Sequence, residues 1–181
     1  MILSNEFLRA DGLYLRGLQP EDAFGNYLKW FNDPEVCFGN SHGVFPVSQK
    51  SLIEYIENSY KSNQQLVFAI IENQNHTHIG NISLQNINWI NRTAEFAIFM
   101  GEKSYWGKGL AFQAGNLILQ HGFNVLNLNR IYCGTFSNNQ GMINLAKALK
   151  MSQEGVRRKA IYKNGNYLDL IEFGVLQDEF I

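Results

Sequence analysis

Two adjoining stretches constrain this chain more than any others: Thr93-Ala94-Glu95-Phe96-Ala97-Ile98-Phe99-Met100 and, a few residues on, Tyr105-Trp106-Gly107-Lys108-Gly109-Leu110-Ala111. The first is rich in aromatic and branched residues and is bounded by Asn91 and Gly101, the pattern of a buried or half-buried strand. After the glycines, Leu110, Ala114, Leu117 and Ile118 recur at i, i+4, i+7 and i+8, which makes one apolar face of a helix. Glycine lets the backbone turn sharply and come close to a ligand, and the free N–H groups of a first helical turn attract an anion. The junction therefore reads either as a phosphate cradle or as an ordinary tight strand-to-helix turn.

The rest of the chain must supply a core for this unit, and it can. The 181 residues are 45% hydrophobic and 13% aromatic, enough for one domain over residues 1–181 with a sizeable core. Lysine and arginine number 15 against 16 acidic residues, a formal charge of -1, so no overall field recruits nucleic acid. No apolar run approaches the ~20 residues of a membrane helix, and Met1 to Glu6 lacks the features of a signal peptide, so a soluble cytoplasmic protein with no membrane partner is expected. Cys37 and Cys133 have no His or Cys neighbours at ligand spacing; they read as reduced thiols, and no metal is expected.

In chain order, Leu13 to Leu18 reads as a first strand, and Pro20-Glu21-Asp22 opens a helix that carries Phe24, Tyr27, Leu28 and Phe31 and stops near Asn32-Asp33-Pro34. Glu35 to Pro46 has no period and reads as a loop. Ser48 caps a second helix with Leu52, Tyr55, Ile56 and Tyr60 on one face. Leu66 to Ile71, Ile79 to Leu84 and Thr93 to Met100 form an antiparallel meander that leads into the glycine junction. The strand Arg130 to Phe136 follows a helical connection and is expected to lie parallel to Thr93 to Met100. Asn139 caps a further helix, and Lys163-Asn164-Gly165-Asn166 turns a closing hairpin.

This element order resembles the GNAT superfamily of N-acetyltransferases, as do Ala94-Glu95-Phe96, the junction Tyr105 to Ala111, and Asn139. Tyr27 to Val36, Glu154-Gly155-Val156-Arg157-Arg158 and Lys163 to Asp169 resemble the branch that holds ribosomal-protein N-terminal acetyltransferases and bacterial nucleotide-amino-sugar N-acetyltransferases. The resemblance implies a mixed α+β fold with about seven strands and about four helices, mostly antiparallel, with one parallel pair splayed apart. It implies acetyl-CoA as co-substrate, held by backbone near Phe99 and Met100 and by Trp106, Gly107, Lys108, Gly109, Leu110, Ala111 and Asn139.

It also implies direct transfer to a primary amine, with Glu95 as base acting through a water and strand N–H groups stabilising charge on the thioester oxygen. Trp30, Asn32, Phe38, Asn40 and His42 are the acceptor candidates; flat aromatic surface and neutral hydrogen-bonding groups suit a nucleotide-linked amino sugar, with a protein N-terminus as the second reading. His76, His78 and His121 read as solvent-facing. A small-molecule amine is the expected partner, and a homodimer is an allowed assembly. Two departures stand out: Ala146 occupies the position where many relatives carry a tyrosine acid, and Met142 stands where they carry a small residue. A non-catalytic acyl-CoA-binding module is the rival reading that these departures support.

Overall fold

The computed structural model describes residues 5–180. The elements are β1 (Leu8–Arg9), β2 (Leu13–Gly17), a 3-10 turn (Pro20–Phe24), α1 (Tyr27–Trp30), α2 (Gln49–Asn58), β3 (Leu66–Glu72), β4 (His78–Asn88) and β5 (Thr93–Met100). A second 3-10 turn (Lys103–Tyr105) precedes α3 (Leu110–Asn124), β6 (Arg130–Phe136), α4 (Gln140–Ala148), β7 (Ser152–Lys163), β8 (Asn166–Leu176) and α5 (Gln177–Phe180). The strands make one open sheet in the order β1-β2-β3-β4-β5-β6-β8-β7. Every neighbouring pair is antiparallel except β5 and β6. Among the described residues two short elements, β1 and α5, bring the strands to eight and the helices to five, against about seven and about four expected.

The helices cover both faces of the sheet. On one face Phe68, Ile70, Ile82, Leu84, Phe96 and Ile131 meet Leu110, Ala114, Ile118 and Leu119 of α3. On the other, Val67, Ala69 and Ile71 meet Tyr27 and Trp30 of α1 and Leu52 and Ile56 of α2. The central strand β3 is buried on both faces over Val67–Glu72, which accounts for its unbroken apolar run.

Three local readings need correction or refinement. The helix expected from Pro20 to Asn32 divides, because Gly25 is extended (φ -93°, ψ -151°) between the 3-10 turn and a four-residue α1. That break turns Phe24 outward, where it is 68% exposed, while Tyr27 and Phe31 remain buried. By contrast Ser48 caps α2 as read, its hydroxyl accepting from the Ser51 N–H. In the last hairpin Asn164 (φ 49°) and Gly165 (φ 83°) both take the left-handed conformation, the backbone that an Asn-Gly hairpin turn requires.

The parallel pair makes the opening that matters. β5 and β6 are joined through Thr93↔Arg130, Ala94↔Ile131 and Glu95↔Tyr132, and no further. β6 stays in the sheet by pairing with β8 as far as Phe136↔Leu170. Phe96 to Met100 and Gly134 to Phe136 therefore form the walls of a gap whose vertex is Glu95.

Candidate active site

A cavity of about 1270 Å³ occupies this gap and runs onto the sheet face beneath α1, α2 and the loop that follows α1. Its lining includes Glu95 to Met100, Gly134 to Phe136, Asn138 to Met142, and Trp106, Gly107, Gly109, Leu110 and Ala111. Among the described residues that line it, none is a lysine or an arginine.

At the glycine junction, Gly107 (φ 73°) and Gly109 (φ 75°) are both left-handed, and nothing lies within 4 Å of where a Cβ would stand. Their glycine identity is thus set by backbone conformation, and the space beside them is open to a ligand. Gly109 is the N-cap of α3 and no side chain caps it, so the first-turn N–H groups face that space. Leu110, 7% exposed, anchors the helix start in the core. Trp106 reaches back so that its Nε1 donates to the Met100 carbonyl at 3.0 Å, which takes up one of the main-chain groups expected to bond the cofactor. Lys108 is not on the main cavity; its ammonium lies 5.0 Å from the Tyr105 ring centre and lines an adjoining cleft of about 510 Å³ with Gly12 and Glu72.

The other end of the cavity is floored by the sheet face that carries Asn81, Ser83 and Gln85 of β4 and Glu95, Ala97 and Phe99 of β5. Glu95 accepts a hydrogen bond from Asn86 Nδ2 at 2.8 Å and has no basic partner in an ion pair among the described residues. Tyr27, Phe31, Phe38, Leu52, Tyr55 and Val67 complete the walls. Burial pushes the phenol of Tyr27 far above its ordinary pKa and that of Tyr55 upward, so both stay protonated at neutral pH.

Of the five acceptor candidates, Phe38, Asn40 and His42 line the cavity and Trp30 and Asn32 do not. Trp30 is 4% exposed, and its Nε1 donates to Glu102 Oε1 at 2.9 Å, so it is a core residue with a satisfied donor. Asn32 is exposed on the outer surface. The Asn40 amide is spent inside its own loop: Nδ2 donates to the Val36 carbonyl at 2.9 Å and Oδ1 accepts from the His42 N–H at 2.9 Å. The His42 ring lies 4.8 Å from Phe31 and 5.0 Å from Phe99, centre to centre. Desolvation by these rings, although the residue keeps an exposed edge, and then the charge of Lys163 push its imidazole pKa below the ordinary value.

The polar floor of β4 was visible as an alternation, Asn81-Ile82-Ser83-Leu84-Gln85, which a strand turns into one polar and one apolar face. Asn81 is held from behind by a buried relay. His78, expected to face solvent, is instead enclosed between Trp30 and Tyr27, at 5.0 and 5.5 Å between ring centres. Its Nε2 lies 2.9 Å from Asn81 Oδ1 and 3.0 Å from the Gly80 carbonyl, and a ring nitrogen between two acceptors carries the proton. Its Nδ1 is 3.6 Å from Asp22 Oδ1, and Asp22 accepts two hydrogen bonds from Arg16 at 2.7 and 2.9 Å. Asn81 Nδ2 is thereby turned away from His78 and has no partner among the described residues. Burial lowers the pKa of His78 despite the nearby carboxylate; burial raises that of Asp22, but the Arg16 and His78 contacts outweigh it and leave it below its ordinary value.

Asn139 lines the cavity with both ends of its amide engaged. Oδ1 accepts from the Met142 N–H at 3.1 Å and caps α4; Nδ2 donates to the Gly39 carbonyl at 2.9 Å and fastens the loop after α1 across the gap. Ala146 is fully buried in the core beneath α4. Among the described residues no cluster of His, Cys, Asp or Glu could hold a metal ion, and no helix is long and apolar enough to cross a membrane.

The model of the acetyltransferase (GNAT) domain matches residues 12–152 of the chain. The chain belongs to the GNAT acetyltransferases. Among its relatives, an uncharacterized N-acetyltransferase p20 of Bacillus licheniformis is 31% identical over 177 residues, 97% of this chain and 98% of that protein. A spermidine N(1)-acetyltransferase of Escherichia coli strain K12 is 34% identical over 102 residues, 56% of this chain and 54% of that one. The crystal structure of spermidine N-acetyltransferase from Vibrio cholerae in complex with CoA and spermine superposes with a TM-score of 0.82 at 27% identity, over 93% of this chain and 98% of that chain. This GNAT enzyme uses acetyl-CoA as acetyl donor, and its residues fit that role: an open left-handed glycine cradle, an uncapped helix start and a gap of unpaired strand lead from one end of the cavity to the other.

Proposed function

We propose that this GNAT enzyme acetylates a primary amine on a small aliphatic amine that carries further positive charge, with spermidine as the representative acceptor. The observation that carries the reading is the acceptor end of the cavity: Glu95, bonded only to a neutral amide, faces aromatic walls with no lysine or arginine on the lining. An ammonium is favoured there by the carboxylate and by the ring faces of Tyr27, Phe31 and Phe99, and its methylene chain suits the apolar remainder. The two relatives above with a named acceptor are spermidine acetyltransferases, which supports the same class. The amino-sugar reading loses its footing, because Trp30 lies in the core, Asn32 outside the cavity, and the Asn40 amide is consumed in its loop.

In this reading Gly107, Gly109, Leu110 and Ala111 hold the pyrophosphate through backbone N–H groups, and the strand edge from Phe96 to Phe99 bonds the pantetheine. Acetyl-CoA supplies the acetyl group. Glu95 takes one proton from the ammonium through a water and passes it to solvent, the freed amine forms the new C–N bond as the C–S bond breaks, and the second proton, shed by the nitrogen as it becomes an amide, goes to the departing thiolate. A Glu95→Gln change removes both the base and the charge. Rates with butylamine, 1,4-diaminobutane and spermidine test the proposal. The wild type should favour the two polycations by at least about tenfold in kcat/KM, and Glu95→Gln should lose roughly 100-fold or more in kcat together with that preference. Equal rates for monoamine and diamine, or an unchanged Glu95→Gln variant, would contradict it.

A further inference from the structure

Thr135 is 3% exposed, lines the cavity, and its Oγ1 has no hydrogen-bond partner among the described residues. A buried hydroxyl without a partner is costly, so its persistence calls for a partner from outside the chain. Its position says where that partner comes from. Thr135 lies on the part of β6 that has already separated from β5, three residues beyond the last pair, Glu95↔Tyr132. Across the sheet on its other side stand Ile171 of β8 and then Val156 of β7, whose side chains offer no polar atom. Its side chain shares a face with Ile131 and Cys133, and because Thr135 also lines the cavity, the gap is the source. Moreover, Phe96 to Met100, Gly134 to Phe136 and the whole of α4 (Gln140–Ala148) contain a single hydroxyl-bearing residue, and it is Thr135.

We propose that the Thr135 hydroxyl is a cofactor contact that donates a hydrogen bond to the pantetheine arm that acetyl-CoA shares with CoA, in the gap. The assignment rests on acetyl-CoA occupying the slot and not on the identity of the amine. It also makes two quantities move in opposite directions. Without ligand the hydroxyl is an unsatisfied buried group, so replacing it by an isosteric methyl should leave the protein as stable or more so. With ligand the same change removes a bond.

Thr135→Val and Thr135→Ser, compared with wild type by calorimetric titration with CoA and by melting of the ligand-free protein, test this. Thr135→Val should bind CoA roughly three- to tenfold more weakly, while its ligand-free melting temperature stays level or rises by about 2 °C. Thr135→Ser, which keeps the hydroxyl, should bind CoA close to wild type. Unchanged CoA affinity in Thr135→Val, equal weakening in Thr135→Ser, or a fall in the ligand-free melting temperature of Thr135→Val would each overturn the assignment. Failure of the wild type to bind CoA would overturn it together with the slot itself.

Discussion

At the scale of single residues, backbone geometry and orphaned polar atoms carry most of the information. Gly109 is left-handed at φ 75° with open space around it, so an alanine there meets no neighbour and is penalised only by its own backbone. Gly109→Ala should therefore cost about 1–2 kcal/mol of stability and weaken CoA binding with it, as a denaturant titration and a CoA titration would show; an unaffected variant would mean that the cradle does not need this conformation. Chemistry at this scale was only partly legible in sequence. Glu95 and the glycines were marked by the strand and helix around them. His78 was misread as solvent-facing because its enclosure depends on Trp30 and Tyr27, residues 48 and 51 positions away by the difference of their numbers (78 - 30 and 78 - 27). Asn40 lines the cavity as expected of a candidate, but local sequence does not reveal that its amide bonds its own loop backbone.

At the scale of elements, the meander, the glycine junction, the capped α2 and the closing hairpin follow from local periodicity and turn chemistry, and each is found close to where those rules place it. The first helix did not follow, because its apolar spacing of 3 and 4 is interrupted by Gly25, whose extended backbone ends the 3-10 turn before α1 begins. The joining of elements is also nonlocal. Asn139 both caps α4 and ties down the Gly39 loop, and two substitutions separate those tasks. Asn139→Asp keeps the cap but loses the donor to Gly39, so it should hold α4 while loosening the loop, seen as a higher KM for the amine with little change in melting temperature. Asn139→Ala loses both and should also lower stability by about 1 kcal/mol. Identical behaviour of the two variants would show that the loop tie contributes nothing.

At the scale of the whole molecule, imidazoles packed against other groups set the response to acid, His78 and His121 being partly buried and His42 exposed at its edge. His78, His42 and His121 all have folded-state pKa values pushed below 6.5 by burial. On acidification the unfolded chain takes up these protons first, so their contribution to stability is intact above about pH 6.5 and is lost as pH falls below it. Asp22, held below its ordinary 3.8, adds a further loss at lower pH, as it is protonated and its pair with Arg16 breaks. The melting temperature should therefore fall steadily from about pH 7 to about pH 5, and a flat profile there would show that these rings are not enclosed in solution. The same enclosure, with His78 and Asp22 behind Asn81 and the aromatic rings around His42, shapes the acceptor end of the cavity, so substrate class is a property of the assembled molecule and not of one motif. Its most direct test is thiol release from acetyl-CoA by the wild-type protein with spermidine, spermine, a nucleotide-linked amino sugar and a peptide with a free N-terminus. Turnover with the polyamines well above that with the sugar and the peptide is the predicted result; turnover with the sugar nucleotide or the peptide and none with either polyamine would contradict it.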